Sequence, residues 1–224
     1  HCKPRSRMMQ VYRDRLVSLF RWAADRGYRT DNPALDIALK GPPKNTRYCT
    51  SEEYHKIRDA MMIGADGKQT ASGPMLQCFM DLLYLTAQRP TDIRLLKWSQ
   101  IKNGVIEITP SKTERSSGGK VRIPITPAIA AVLERVRGIG SVKGMSYVIH
   151  QGNGSNYTRF GIGSAWTRAC KRAEVKGIST RQIRPTAATD AVRQGYTMNE
   201  LHTTLVHTSA GTTEGYIRAL DAPL

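Results

Sequence analysis

The sequence predicts a mainly α-helical α+β fold with one small antiparallel β-sheet. Three observations lead there. Apolar residues recur at helical spacing over most of the chain, and the period falls to two within residues 104–126. Thr, Pro and Gly sit where helices should start and stop. The residues AVILMFWYC make up 40% of the 224, and 19 Gly accompany them, enough for a packed core. Neither Gly nor a heptad repeats with a period, which excludes collagen-like and coiled-coil chains. The most apolar stretch, residues 75–86, contains Gln77 and Asp81. It falls short of the ~18–20 residues that cross a bilayer, so no membrane association is expected.

In chain order, the pattern predicts a helix over residues 9–26, with Val11, Leu16, Leu19, Phe20 and Ala23 on one side. Gly27 stops it and Asn32-Pro33 makes a turn. A lone helix cannot bury its apolar face, so it belongs to a domain completed elsewhere or packs on the segment C-terminal to it. Residues 40–47, KGPPKNTR, read as a linker. Thr50 and Glu53 form a capping-box pair ahead of Tyr54, Ile57 and Met61. A polar loop over residues 64–73 leads to a buried helix at 75–87. Pro90 suits the first turn of a further helix carrying Ile93, Leu96 and Trp98.

Ile106 and Ile108 alternate with polar residues, as do Val121, Ile123 and Ile125. Two strands joined by a long polar turn over residues 111–120 fit this, with Pro124 placing the second at an edge. Thr126-Pro127 starts a helix bearing Ile129, Leu133 and Val136. Residues 147–149 read as a short strand, 160–173 as a helix with Ile162, Trp166 and Cys170 inward, and 185–193 as another. Thr197 and Glu200 form a second capping-box pair.

Thirty-four Lys+Arg against 18 Asp+Glu give a formal net charge of +16. A chain this basic attracts polyanions, nucleic acid first. A charge that serves solubility or an acidic membrane surface is the plainer alternative. Cys2, Cys49, Cys78 and Cys170 make no CxxC pair, so reduced thiols in a cytosol are expected, without a disulfide framework or zinc site. No signal peptide is visible, and the chain begins at His1 within a pattern, as a piece of a longer protein would.

Three clusters could carry chemistry. In TAQRPTDIRLLKWSQI, Arg89 lies where one helix gives way to another, and Asp92 could hold its guanidinium in place. In RQIRPTAAT, Arg181 and Arg184 lie three apart, and guanidinium forks match phosphate oxygens. In LVHTSAGTTEGYIR, His207 precedes Tyr216 by nine residues. Taken alone, each has an ordinary reading: an exposed Arg at a helix end, a solvated basic turn, a locally bonded His and a core Tyr.

Together, in the order Arg89, Lys112, Arg184, His207, Tyr216, the clusters resemble the tyrosine recombinases, the phage-integrase family, over residues 50–218. Residues 86–101 are similar to that family's first Arg box, 181–189 to its second and 205–218 to its closing box. Lys112 lies in the strand-to-strand turn where the family keeps its catalytic Lys. Residues 9–33 resemble the last helix of the family's core-binding domain. The resemblance thus implies the end of a core-binding helical domain and linker at 1–40, and a catalytic domain of the phage-integrase fold at 41–224. The sequence departs from the family at two places. Arg181 stands where His or Lys is usual, and Arg is a poor proton acceptor. Val206 replaces the Gly before the His, and a β-branched residue disfavours positive φ.

The resemblance implies a site-specific DNA recombinase working through a 3′-phosphotyrosine. Tyr216 would be the nucleophile, Arg89 and Arg184 the clamp on the nonbridging oxygens, Arg181 a further catalytic-site cation that can stabilise phosphate, His207 a proton handler or phosphate donor, and Lys112 the acid for the leaving 5′-oxygen. Asp92 would support Arg89. No cofactor is implied, neither metal nor ATP, because the covalent link keeps the phosphodiester energy. The implied partners are double-stranded DNA, a homotetramer on DNA formed from a free monomer, and accessory DNA-bending proteins. The rival readings are a non-catalytic DNA-binding protein of the same fold and a type IB topoisomerase-like relaxing enzyme. A metallohydrolase is more distant, since His202 and His207 suit no common zinc spacing. No GxGxxG or P-loop supports nucleotide binding.

Overall fold

The computed structural model describes residues 6–39, 47–111, 120–140 and 146–197. It divides into two compact units, His1–Asn45 and Thr46–Leu224.

The first unit is built on helix α1 (Ser6–Asp25). Gly27 ends it with a left-handed φ of 74°, and its amide bonds back to the Ala24 carbonyl at 3.0 Å. At the Asn32-Pro33 turn, Asn32 accepts from the Ala34 amide at 3.2 Å and donates to the Val17 carbonyl at 2.9 Å. Those two bonds fold the chain back onto its helix. Val11, Leu16 and Leu19 stay exposed.

The second unit opens with α2 (Ser51–Met62), started by the expected capping box of Thr50 and Glu53. Tyr54, Ile57 and Met61 are its buried face. The loop after it closes tightly on Gly73, where a Cβ would come within 2.8 Å of the Met61 carbonyl oxygen. Helix α3 (Gly73–Thr86) comes next and is apolar nearly all round. It packs against α2, α5 (Pro127–Arg137) and α7 (Thr180–Arg193), while α6 (Arg159–Arg172) packs on α2. Phe79, Met80, Leu82 and Leu83 are fully buried and make α3 the centre of the core. Burying each such side chain is worth about 1.5–3 kcal/mol.

The sheet has three antiparallel strands in the order β1-β2-β3: β1 (Ile101–Lys102), β2 (Val105–Ile108) and β3 (Val121–Pro124). Ile106 faces Ile123 and Ile108 faces Val121, giving the apolar alternation its buried side. Pro124 lies on the edge strand, as expected, where its missing N–H costs no ladder bond.

The structure differs from the sequence expectations at four places. Helix α4 covers only Pro90–Arg94. Leu96 and Trp98 leave it because that backbone is taken by residues 146–148: Val148 donates to Leu96 at 2.8 Å and Trp98 to Ser146 at 3.0 Å. The same pairing reduces residues 147–149 to a single bridge, Lys97 to Tyr147. Strand β1 is additional, joined to β2 through left-handed Asn103 and Gly104, a pair suited to a two-residue hairpin turn. Helix α7 begins at Thr180, five residues ahead of Pro185. Gln182 reaches back to the Ser179 amide at 3.0 Å, and this cap starts the helix earlier than the proline does. The middle of the polar turn (112–119) and the Thr197–Glu200 capping pair beyond residue 197 lie outside the described residues.

Candidate functional site

Arg89 is placed by an abrupt end to α3. Ala87 is left-handed, with φ 50° and ψ 27°, and Gln88 follows, fully buried. Thr86 fixes Gln88, which donates through its side-chain amide to the Thr86 carbonyl at 3.1 Å. Arg89 comes next with extended φ and ψ, directly before Pro90 opens α4. Its side chain is 23% exposed, and Nη1 lies 3.9 Å from Oδ2 of Asp92, whose side chain is 2% exposed. That separation is an ion pair without a hydrogen bond. Both Arg89 Nη1 and Asp92 Oδ2 are buried and have no hydrogen-bond partner among the described residues.

The other oxygen of Asp92 accepts from the Ser111 amide at 3.1 Å. Asp92 therefore links the helix after Arg89 to the residue at which the turn carrying Lys112 begins. Only the first of these two links is visible in the spacing of the Arg box.

Arg184 lies on α7 and is 2% exposed, one of the few charged groups this deeply buried. Around it α7 is built from small residues. Ala187 and Ala188 pack against Ala87, with Tyr84, Ala191 and Val192 at the margin. Such small side chains let α7 approach the end of α3 closely. The backbone two residues before Arg89 is thereby joined to the backbone three and four residues after Arg184. Arg181 lies in the first turn of α7 and is exposed. Lys112, Val206, His207 and Tyr216 lie outside the described residues. Arg89, Asp92 and Arg184 are thus carried on adjoining elements.

Sequence reasoning passed over a carboxylate that reinforces this junction. Asp190 on α7 accepts from the Tyr84 hydroxyl at 2.8 Å and from the Tyr48 hydroxyl. Burial, followed by the Asp190 bond, pushes the Tyr48 phenol up to about 12. The same causes raise Tyr84. Both phenols thus stay protonated donors at neutral pH. The available signal was compositional: Asp190 is the one acidic residue in α7.

Cys49, Cys78 and Cys170 are free and buried. Burial raises the Cys49 thiol to about 12 and the Cys170 thiol to about 11. Among the described residues no cluster of His, Cys, Asp or Glu could hold a metal ion, and no helix is long and apolar enough to cross a membrane.

The fold defines a class, and comparison with known proteins agrees. The model of the phage integrase family matches residues 47–222, and the chain belongs to that family. The integrase of Enterobacteria phage 434 is 33% identical over 124 residues, covering 55% of this chain and 31% of that protein. The chain's match thus spans about a third of that relative's length. Among solved structures, a lambda integrase dimer bound to a COC′ core site has a TM-score of 0.77 at 21% identity, covering 98% of this chain and 61% of that one. A lambda integrase tetramer bound to a Holliday junction gives 0.76 at 21% identity, covering 95% and 59%. The shared architecture is the phage-integrase catalytic fold expected from the sequence.

Proposed function

We propose that this chain is the catalytic part of a tyrosine-type site-specific DNA recombinase, an integrase of a prophage or mobile element. The observation that carries the reading is the buried Nη1 of Arg89, left without a hydrogen bond beside Asp92, two residues past the α3 exit that packs against the helix bearing Arg184. A buried guanidinium in that state is suited to an oxyanion that completes its bonds. The family membership of residues 47–222 supports a DNA phosphate as that oxyanion.

In this scheme the Tyr216 oxygen attacks the scissile phosphorus as its proton leaves, with His207 handling that proton or donating to the phosphate. The bond to the 5′-oxygen breaks, Lys112 protonates that oxygen, and a 3′-phosphotyrosine remains. Arg89 and Arg184 bind the nonbridging oxygens more tightly as charge builds, and Arg181 adds a third cation at the rim. Attack by another strand's 5′-hydroxyl reverses the step and releases Tyr216. The phosphodiester count is conserved, so the scheme draws on neither ATP nor a metal. Residues 1–40 are the end of a core-binding domain and 41–224 the catalytic domain. The working assembly is a tetramer on duplex DNA, formed from free monomers with accessory DNA-bending proteins, in the bacterial cytoplasm. Lambda integrase has been seen as a dimer on a core site and as a tetramer on a Holliday junction, which supports this assembly.

The test traps the covalent step. The protein is incubated in EDTA with nicked suicide duplexes from a random-site library, beside Tyr216→Phe. An SDS-resistant protein–DNA band from the parent alone is expected. Salt-sensitive DNA binding with no band, in this chain and in a longer one, would instead indicate a binding protein that does not cleave.

A further inference from the structure

Asp190 stands six residues beyond Arg184 on the same helix, and the proposed cleavage scheme gives it no role. Its two carboxylate oxygens are divided between two tyrosines from different parts of the unit. Oδ2 takes the Tyr84 hydroxyl at 2.8 Å, and Oδ1 takes the Tyr48 hydroxyl. Arg193, one turn on, lies 3.7 Å from Oδ1 and stacks its guanidinium 4.8 Å from the Tyr48 ring centroid. The Cys49 amide adds a bond to the Thr186 hydroxyl at 3.2 Å. Tyr84 is five residues before Arg89 and Asp190 six after Arg184, so this carboxylate ties the end of α3, which leads into Arg89, to the helix bearing Arg184.

Helix α7 has a reason to need such a brace. Pro185 lies inside it, and its missing N–H leaves the Arg181 carbonyl without its helical partner. The alanine contact with α3 is close but apolar, and it does not by itself fix rotation or sliding. A carboxylate accepting from two directions does.

We infer that Asp190 is a positioning residue for the phosphate clamp, setting the relation of Arg184 to Arg89 through Tyr84 and Tyr48. The inference rests on the recombinase reading of the site.

The test compares the parent with Asp190→Asn and Tyr84→Phe in single-turnover cleavage of a suicide duplex. Asn keeps the shape but cannot accept from both hydroxyls. Cleavage should fall at least about tenfold, and up to about 100-fold, while the dissociation constant for DNA is unchanged. A second duplex carries a methylphosphonate at the scissile position, which is uncharged and draws less on two guanidinium groups. On it the defect should shrink to under about threefold. Ile57→Val, which trims the core in α2, is the stability control. Equal cleavage by Asp190→Asn and the parent overturns the inference. So does a defect of the same size on both duplexes, or one that Ile57→Val reproduces at a matched loss of melting temperature. If the parent cleaves nothing, the recombinase reading fails first. Binding of inorganic tungstate, a phosphate-like dianion, then decides the positioning role by itself. Weaker tungstate binding by Asp190→Asn supports it, and equal or absent binding in both proteins overturns it.

Discussion

Asp81 and Asp92 are both buried aspartates facing arginines, on either side of the α3 exit. Asp81 is saturated. Arg58 grips it with two bonds of 2.9 and 3.0 Å, Tyr54 donates at 2.8 Å, and Arg135 adds another. Asp92 has a 3.1 Å bond from the Ser111 amide, but its oxygen nearest Arg89 is 3.9 Å away and unbonded. A buried polar group left unpaired costs about 1–3 kcal/mol. The first cluster is therefore built for stability. The second keeps bonding capacity open where a ligand can use it.

Removing each carboxylate or its partner in turn separates the two roles. Asp81→Ala strands Arg58 and Arg135 and should cost about 3–5 kcal/mol of unfolding free energy, read from urea transitions. Arg89→Ala should leave that free energy within about 1 kcal/mol and reduce cleavage by about 10²–10³. If Arg89→Ala unfolds the protein as badly as Asp81→Ala, the distinction between the two sites is lost. Asp→Asn at each site sharpens the contrast. Asp92→Asn can still accept from Ser111, so stability should hold while cleavage falls by up to about 100-fold through misplacement of Arg89.

The smallest effect is in pH. Burial opposes ionisation of Asp81, but bonds from Arg58, Arg135 and Tyr54 outweigh it and hold its carboxyl below the usual range. A depressed native value means the unfolded chain takes up the proton first. Its contribution is therefore complete above the unfolded value of about 3.9 and is lost as pH falls through the lower native one. Urea midpoints should be flat from neutral pH to about pH 5 and fall below about pH 4. Asp81→Asn should remove that part of the acid slope.

How much was legible depended on whether the cause was local. The capping box of α2, the apolar faces of α2, α5 and α6 and the edge proline in β3 each arise from residues within a turn or two, and each is found. Strand β1 was missed although Asn103-Gly104 announced the hairpin, because two residues are too few to show an alternating period. The over-long α4 has a distant cause: residues 146–148 capture the backbone of Leu96 and Trp98. The site divides in the same way. Arg89, Asp92 and Arg184 stand out within two short boxes that resemble the family's, each read from a few consecutive residues. Asp190 was not, since its partner Tyr48 is 142 residues away in sequence.

The left-handed Ala87 has a consequence for how this chain can change length. A helix turns about 100° for each residue added. Because α3 ends at one fixed residue, only Gln88 separates that reversal from Arg89, and it is locked to Thr86 through both its backbone and side-chain amides. An insertion or deletion here has no slack to absorb it and would swing α4, with Arg89 and Asp92 on it, out of its place beside α3. The loop at the other end of α3, around the exposed Asp66 and Gly67, can be lengthened without disturbing that geometry. The two ends of one buried helix thus differ sharply in what evolution or an engineer can splice into them.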